Sequence, residues 1–222
     1  MTGRRRPSDR RATRLEHHLI IVGIGPGSPD YILPAARRAI ERAEVLVGGR
    51  RALNSFARPG QLTYAVGSDI EGLVKFLREQ IVQRDVVVMV SGDPGYYSLL
   101  ETLRGQFPPE TVQVIPGLSS FQVAFARIGL PWQTARVLSA HGREPEPAAL
   151  AYTEGAILSF LTDGKNNPAR IAAWMLEQGW PEQSSAWLCR DLSYENETIL
   201  PLPLAEVLQV QGFDSCVMVV KG

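Results

Sequence analysis

A run of five apolar residues that ends in a tight turn constrains this sequence most. Residues 86–90, Val-Val-Val-Met-Val, are continuously apolar, which is typical of a strand buried on both faces of a sheet. The run stops at 91–95, Ser-Gly-Asp-Pro-Gly, where glycines permit unusual backbone conformations and proline removes a donor. Residues 96–104 then indicate a short helix. Ligands of open α/β sheets bind beside such strand ends, so the turn is either a plain connection or a wall of a site.

The first half of the chain alternates predicted strands with predicted helices. The strands are 17–22, 44–47, 62–66, 86–90 and 112–115, and the helices are 31–43, 69–83, 96–104 and 121–128. This alternation predicts an α/β fold with a largely parallel sheet and helices on its faces.

The second half has a different pattern. Its predicted strands are 156–161, 185–189, 197–200 and 216–220, with one predicted helix at 169–178. Short links between consecutive strands predict a mixed, partly antiparallel sheet. Gly129 to Trp132 marks the predicted boundary, so we expect an N-terminal α/β domain over 17–130 and a C-terminal α+β domain over 131–222.

The charge balance gives no indication of a general nucleic-acid-binding surface, because 23 basic residues balance 23 acidic ones. The exception is 1–16, where six arginines and little apolar content predict a disordered basic tail. No apolar segment of signal-peptide length follows the tail, and no stretch approaches 18 apolar residues. We therefore expect a cytoplasmic protein without membrane or nucleic-acid partners.

Two cysteines, Cys189 and Cys216, lie in apolar, strand-like runs. This placement predicts buried, reduced thiols. Together with three scattered histidines they do not make a zinc site, so no metal is expected.

Three loops follow three of the predicted strands. The first loop, 23–30, has the spacing G-x-G-x-G and therefore fails the dinucleotide fingerprint, although its glycines still allow close approach of a ligand. The second loop is 91–95. The third loop, 116–120, places Ser119 and Ser120 at helix-capping positions, where their hydroxyls serve either the helix's own amides or a ligand. Three such loops together predict a shared ligand cleft.

Segments 22–29, 91–96 and 116–120, in this order and spacing, resemble the tetrapyrrole methylase family, whose members use S-adenosylmethionine to methylate precorrins and uroporphyrinogen. The resemblance spans 17–222. Segments 138–143, 161–168 and 191–197 resemble the branch that methylates carbon 5 of precorrin-6Y or cobalt-precorrin-7 in cobalamin biosynthesis. Two alternatives stay open: a family member with another macrocycle carbon or substrate, and a non-catalytic ligand-binding module of the same fold.

The resemblance implies two α/β domains with the active-site cleft between them, a homodimer, S-adenosyl-L-methionine as cofactor and S-adenosyl-L-homocysteine as product. In some organisms the carbon-5 enzyme is fused to a partner that methylates carbon 15 and decarboxylates, and here we expect the stand-alone carbon-5 unit with that C15-methyltransferase/decarboxylase as a separate partner. The implied cofactor-binding residues are Pro26, Ser91, Gly92, Asp93, Tyr96, Ser119, Ser120, Leu161, Cys189 and Asp191.

Methyl transfer from a sulfonium requires alignment of donor and acceptor rather than a covalent residue, with a base only for the proton lost afterwards. His141 is the candidate proton acceptor, although it could instead orient substrate or be structural. Asp93 would bind the cofactor's ribose or ammonium, or else stabilise its own turn. Arg143, Arg50 and Lys165 are loop cations that would bind the substrate's carboxylates, or simply be solvated.

Overall fold

The fold is built on two five-stranded sheets. It is seen in a computed structural model that describes residues 17–222, and the predicted basic tail, 1–16, lies outside the described residues. The first sheet contains β1 (Leu19–Gly23), β2 (Val45–Gly48), β3 (Leu62–Ala65), β4 (Val86–Val90) and β5 (Val112–Ile115). Its helices are α1 (Pro34–Arg42), α2 (Arg50–Phe56), α3 (Ile70–Gln80) and α4 (Leu99–Arg104). The remaining elements are α5 (Ser120–Ile128), β6 (Arg136–Ser139), α6 (Pro147–Leu150), β7 (Ile157–Leu161), α7 (Pro168–Glu177), β8 (Ser185–Arg190), β9 (Thr198–Pro203) and β10 (Val217–Lys221). Short 3-10 turns lie at Pro29–Tyr31, Pro109–Thr111 and Leu204–Gln209.

The first sheet is parallel, with the strand order β3-β2-β4-β1-β5. Every residue of the central strand β4 is buried, which confirms the prediction from its apolar run. β1 pairs with β4 on one side and with β5 on the other, so the carboxyl ends of these three strands are neighbours. The loops that follow them therefore start from one edge of the sheet.

Some helix boundaries differ from the predicted ones. The helix predicted from residue 96 begins only at Leu99, because Tyr97 has a left-handed φ of 47° and the Ser98 hydroxyl accepts the first capping bond from Leu100 N–H. α3 begins at Ile70, and the preceding Asp69 caps it with a carboxylate that accepts from Gly72 N–H at 2.8 Å. The helix α2 was not predicted; it is only seven residues long, too short for its apolar face of Ala52, Leu53 and Phe56 to establish a helical period.

The second sheet has the order β6-β7-β10-β8-β9, in which only β6 and β7 are parallel. The predicted mixed sheet is confirmed, although β6 and α6 were missed. Helix α5 packs against this second sheet, where Phe121 and Phe125 share a cluster with Val217 and Val219. α5 thus connects the two sheets, and the domain boundary near residue 130 stays a prediction.

None of the helices within residues 17–222 combines the length and the apolar character that a membrane crossing needs.

Candidate active site

The three loops meet at glycines. Gly25 and Gly92 exchange backbone hydrogen bonds, at 2.8 Å from Gly92 N–H and 3.4 Å from Gly25 N–H. A Cβ on Gly23 would lie 2.5 Å from the Gly92 oxygen and 2.6 Å from the Gly117 nitrogen, closer than side chains tolerate. Glycine is therefore required where the first, second and third loops touch, and the predicted convergence of the loops is present.

Asp93 fixes the second loop to the third. Its Oδ1 accepts from Gly95 N–H at 2.8 Å, which closes its own turn, and its Oδ2 accepts from Gly117 N–H at 3.0 Å. The turn-stabilising interpretation of this residue is thus observed. A contact with the cofactor stays a prediction, for which each carboxylate oxygen retains acceptor capacity.

The two serines of the third loop lie beside the second loop. Ser119 is buried and precedes α5, and its N–H donates to Gln122 Oε1 at 2.8 Å. Its Cα lies 3.7 Å from the position a Cβ on Gly92 would take. Ser120 is the first residue of α5, at the helix end where backbone N–H groups lack partners.

Tyr96 has a buried hydroxyl with no hydrogen-bond partner among residues 17–222. Burial raises the pKa of this phenol, and the ring packs edge-on against Phe121 with centroids 5.2 Å apart. Buried polar atoms nearly always find partners, so the orphaned hydroxyl next to the converging loops is available to a ligand group, and the cofactor contact of Tyr96 stays a prediction.

Leu161 and Cys189, predicted from the second half, belong to the same apolar cluster as Tyr96 and Phe121. Burial raises the pKa of the Cys189 thiol to about 12, so this sulfur is a neutral apolar contact rather than a nucleophile. The structure therefore brings three predicted cofactor residues, one from the first half and two from the second, into one cluster.

Asp191 follows β8 in a left-handed conformation, with φ of 52°. Its Oδ2 accepts from Asn196 Nδ2 at 2.8 Å and lies 3.3 Å from Arg190 Nε. Its carboxylate thus organises the loop after β8, and the predicted cofactor contact stays a prediction.

A cavity of about 150 Å³ lies beside the first and second loops, where Pro26 and Ser91 line it. Two residues that the sequence reasoning missed complete its wall. Arg51 donates a hydrogen bond to the Tyr194 hydroxyl, and its guanidinium lies 4.9 Å over the Tyr194 ring. Tyr194 belongs to the segment 191–197, which the resemblance singled out, but nothing in the sequence pairs it with α2.

The predicted base and one predicted cation lie in the loop after β6. His141 is exposed, and its Nδ1 lies 3.3 Å from the Thr162 carbonyl oxygen. The Arg143 guanidinium lies 4.6 Å over the ring of Tyr97, next to the second loop. Arg143 therefore reaches from the second half of the chain to the first.

The other two predicted cations are placed differently. Arg50 was expected in a loop, which is wrong, because it is the first residue of α2. Lys165 is exposed in a loop, with its Nζ 3.7 Å from Glu144 Oε1. No contact described for either residue brings it to the three loops within residues 17–222, and their binding of substrate stays a prediction.

This arrangement defines a class of protein: an α/β protein with a ligand site of glycine-rich loops at the carboxyl edge of a parallel sheet, extended by an apolar cluster on a second sheet. Residues 18–208 match the model of a family described as Tetrapyrrole (Corrin/Porphyrin) Methylases. The chain belongs to this tetrapyrrole methylase family.

Named relatives agree with this membership. Cobalt-precorrin-7 C(5)-methyltransferase of Salmonella typhimurium is 32% identical over 189 residues, covering 85% of this chain and 92% of the relative. A probable cobalt-precorrin-7 C(5)-methyltransferase of Methanocaldococcus jannaschii is 29% identical over 194 residues, covering 85% and 90%. A solved uroporphyrin-III C-methyl transferase from Thermus thermophilus, complexed with S-adenosyl homocysteine, shares the fold with a TM-score of 0.71 at 24% identity, covering 91% of each chain.

Proposed function

We propose that this chain transfers a methyl group from S-adenosyl-L-methionine to carbon 5 of a precorrin, cobalt-precorrin-7 or precorrin-6Y, in cobalamin biosynthesis. The observation that carries the proposal is the similarity to the Salmonella carbon-5 enzyme, which extends over 85% of this chain and 92% of that relative. Family membership supports a methyltransferase, and the relative's name supports the ring position.

The residues of the site fit the cofactor. The three glycine-rich loops offer polar backbone at close range, the orphaned Tyr96 hydroxyl offers a buried hydrogen-bonding atom, and Leu161 and Cys189 offer an apolar wall. Pro26, Ser91, Gly92, Asp93, Ser119, Ser120 and Asp191 complete the set that would hold it. When bound, the cofactor supplies a methyl group on a positively charged sulfur, which is already activated for transfer.

The chain's own contribution is orientation and proton handling. Loops that are fixed to each other through Asp93 and through glycine contacts hold their binding groups without reorganisation, which favours an aligned in-line transfer. For the proton lost from the ring carbon, His141 is the proposed acceptor. If its Nδ1–H donates to the Thr162 carbonyl, the other ring nitrogen is left as a free base.

We further propose that the protein acts in the cytoplasm as a homodimer, with a C15-methyltransferase/decarboxylase as a partner. The resemblance to the family supports these assignments. Light scattering coupled to size exclusion tests the dimer, with a mass near twice 24.4 kDa as the expected result.

The decisive experiment incubates the purified protein with methyl-labelled S-adenosylmethionine and a panel of precorrin intermediates, and locates the new methyl group by NMR. We expect one labelled methyl at carbon 5 of cobalt-precorrin-7 or precorrin-6Y. Label at another carbon or on another intermediate would indicate a different member of the family. Saturable cofactor binding without turnover on any intermediate would indicate the binding-module alternative.

A further inference from the structure

The cavity beside Pro26 is lined by a cationic side chain, Arg51, to which the proposed reaction assigns no role. Arg51 is exposed at its wall, and among residues 17–222 no carboxylate lies within ion-pair distance of it. Its partner is the neutral hydroxyl of Tyr194. A guanidinium binds a carboxylate more strongly than a neutral hydroxyl, so this pairing leaves the strongest interaction of Arg51 unused.

The contacts of Tyr194 hold that guanidinium at the cavity. The ring lies under the guanidinium at 4.9 Å, a cation–π arrangement, and Tyr194 also contacts the first loop at Gly27, where a Cβ would collide with the phenol. The next residue back, Ser193, accepts a hydrogen bond from Ser28 N–H at 3.0 Å. Segment 191–197 therefore docks on the first loop and presents the tyrosine to Arg51.

The helix geometry separates Arg51 from its neighbour Arg50. Arg51, Ala52 and Ser55 share the face of α2 that lines the cavity, whereas Arg50 does not line it. Of the two adjacent arginines, only Arg51 therefore shares the cavity with Pro26 of the first loop and Ser91 of the second loop.

We propose that Arg51 is a specificity-determining residue that binds a carboxylate of the macrocycle, and that Tyr194 is the positioning residue that holds the guanidinium until the carboxylate replaces the tyrosine hydroxyl. This inference rests on the proposed function, because it takes an acidic tetrapyrrole as substrate. It assigns Arg51 in addition to the sequence-predicted cations.

Steady-state kinetics with cobalt-precorrin-7 test the first part. For Arg51→Gln we expect KM to rise about tenfold or more, because a charge-assisted bond is lost, with the dissociation constant of S-adenosylmethionine unchanged within about twofold. Arg51→Lys should recover part of the loss, since the charge returns without the two-pronged geometry. Arg38→Gln, an exposed arginine of α1, is the matched control for removal of a surface charge and should keep the wild-type KM.

Two variants of the tyrosine test the positioning role. Tyr194→Phe keeps the ring but removes the hydroxyl that competes with substrate, so KM should not exceed the wild-type value. Tyr194→Ala removes the ring as well, and KM should rise while the cofactor affinity stays the same. If Tyr194 were merely structural, both variants would lose stability, and KM would not rise in Tyr194→Ala while staying at or below the wild-type value in Tyr194→Phe.

A binding assay separates this inference from the proposed function. Uroporphyrin III, a stable tetrapyrrole with eight carboxylates, is titrated against wild type, Arg51→Gln and the control Arg38→Gln by fluorescence quenching. About tenfold weaker binding in the Arg51 variant alone supports the inference even if wild type methylates no precorrin, a result that would overturn the proposed function. Wild-type affinity and KM in Arg51→Gln, or an equal loss in Arg38→Gln, would overturn the inference even if methylation occurs.

Discussion

The Asp93 carboxylate joins two of the three loops of the site, because its Oδ2 accepts a hydrogen bond from Gly117 N–H at 3.0 Å while its Oδ1 accepts from Gly95 N–H. This link spans 24 residues of sequence and connects the ends of β4 and β5. The site therefore depends on a side chain whose observed partners are backbone amides.

Replacing Asp93 by alanine removes both bonds and frees the second loop from the third. We expect Asp93→Ala to lose about 1–2 kcal/mol of unfolding free energy and about tenfold in affinity for S-adenosylmethionine, because the loops are no longer held in the binding arrangement. Urea unfolding and calorimetric titration measure the two effects. Unchanged stability would show that the bond to Gly117 contributes nothing, whereas unchanged affinity would leave Asp93 with a role in its turn alone.

Gly117 is the position where the loops are packed most tightly. A Cβ there would lie 2.8 Å from Gly23 Cα and would also collide with the Gly92 oxygen, and both are backbone atoms that cannot rotate away. We expect Gly117→Ala to destabilise the fold by about 2–3 kcal/mol and to abolish saturable cofactor binding.

The matched control is Gly67→Ala, where an added Cβ meets nothing within 4 Å. Its unfolding free energy should stay within about 0.5 kcal/mol of wild type. Equal stability of the two variants in urea would mean that the three loops separate without cost, contrary to the contact described here.

Much of this site could be predicted because its signals are local. The buried strand β4 shows as a continuous apolar run, and the turns show as glycine and proline at the strand ends. Three loops at adjacent strand ends then meet as a consequence of parallel pairing. The family resemblance added the cofactor and the second-half residues that carry no local signal, such as Leu161 and Cys189.

The rest depends on contacts that no local pattern encodes. Arg51 and Tyr194 are 143 residues apart, and only the docking of segment 191–197 on the first loop brings them together. Tyr97 takes a left-handed φ that a tyrosine rarely adopts, so the pattern placed the start of α4 too early. Helix α2 is only seven residues long and is held by the packing of Ala52, Leu53 and Phe56 on the core, so the sequence alone did not show it and Arg50 was expected in a loop.

Glu197 makes the free energy of unfolding depend on pH in the acidic range. Burial alone would raise its pKa, but hydrogen bonds from Arg127 and from Ser193 N–H outweigh that effect and hold the pKa below its usual value. A depressed carboxyl pKa stabilises the fold above the unfolded-state pKa of about 4.5, and this contribution is lost as pH falls through the folded-state pKa.

We expect Glu197→Gln to lose about 1 kcal/mol at pH 7, a modest value because the Arg127 side chain is 37% exposed and solvent screens the pair. The variant should also show a shallower loss of stability as pH falls below the unfolded-state pKa of about 4.5. Urea unfolding at several pH values measures both. Glu195→Gln, an exposed acid of the same segment, should follow the wild-type pH dependence; a wild-type profile for Glu197→Gln would contradict the assignment.

Asn166 holds the loop that carries His141 and Arg143. The residue is 1% exposed, and its Nδ2 donates to the carbonyl oxygens of Ala140 at 2.9 Å and Arg143 at 2.8 Å. Removal of the amide leaves two carbonyls without these donors. We therefore expect Asn166→Ala to cost about 2–3 kcal/mol and to raise amide hydrogen exchange over residues 140–143.

The adjacent Asn167 provides the control, because its Oδ1 caps α7 by accepting from Arg170 N–H at 3.0 Å and makes no described bond to the loop after β6. Asn167→Ala should cost about 1 kcal/mol, with exchange over 140–143 unchanged. If Asn166→Ala also lowers kcat more than Asn167→Ala while cofactor affinity is equal in both, the position of His141 matters for turnover. Equal exchange over 140–143 in the two variants would show that the loop keeps its shape without the buried amide.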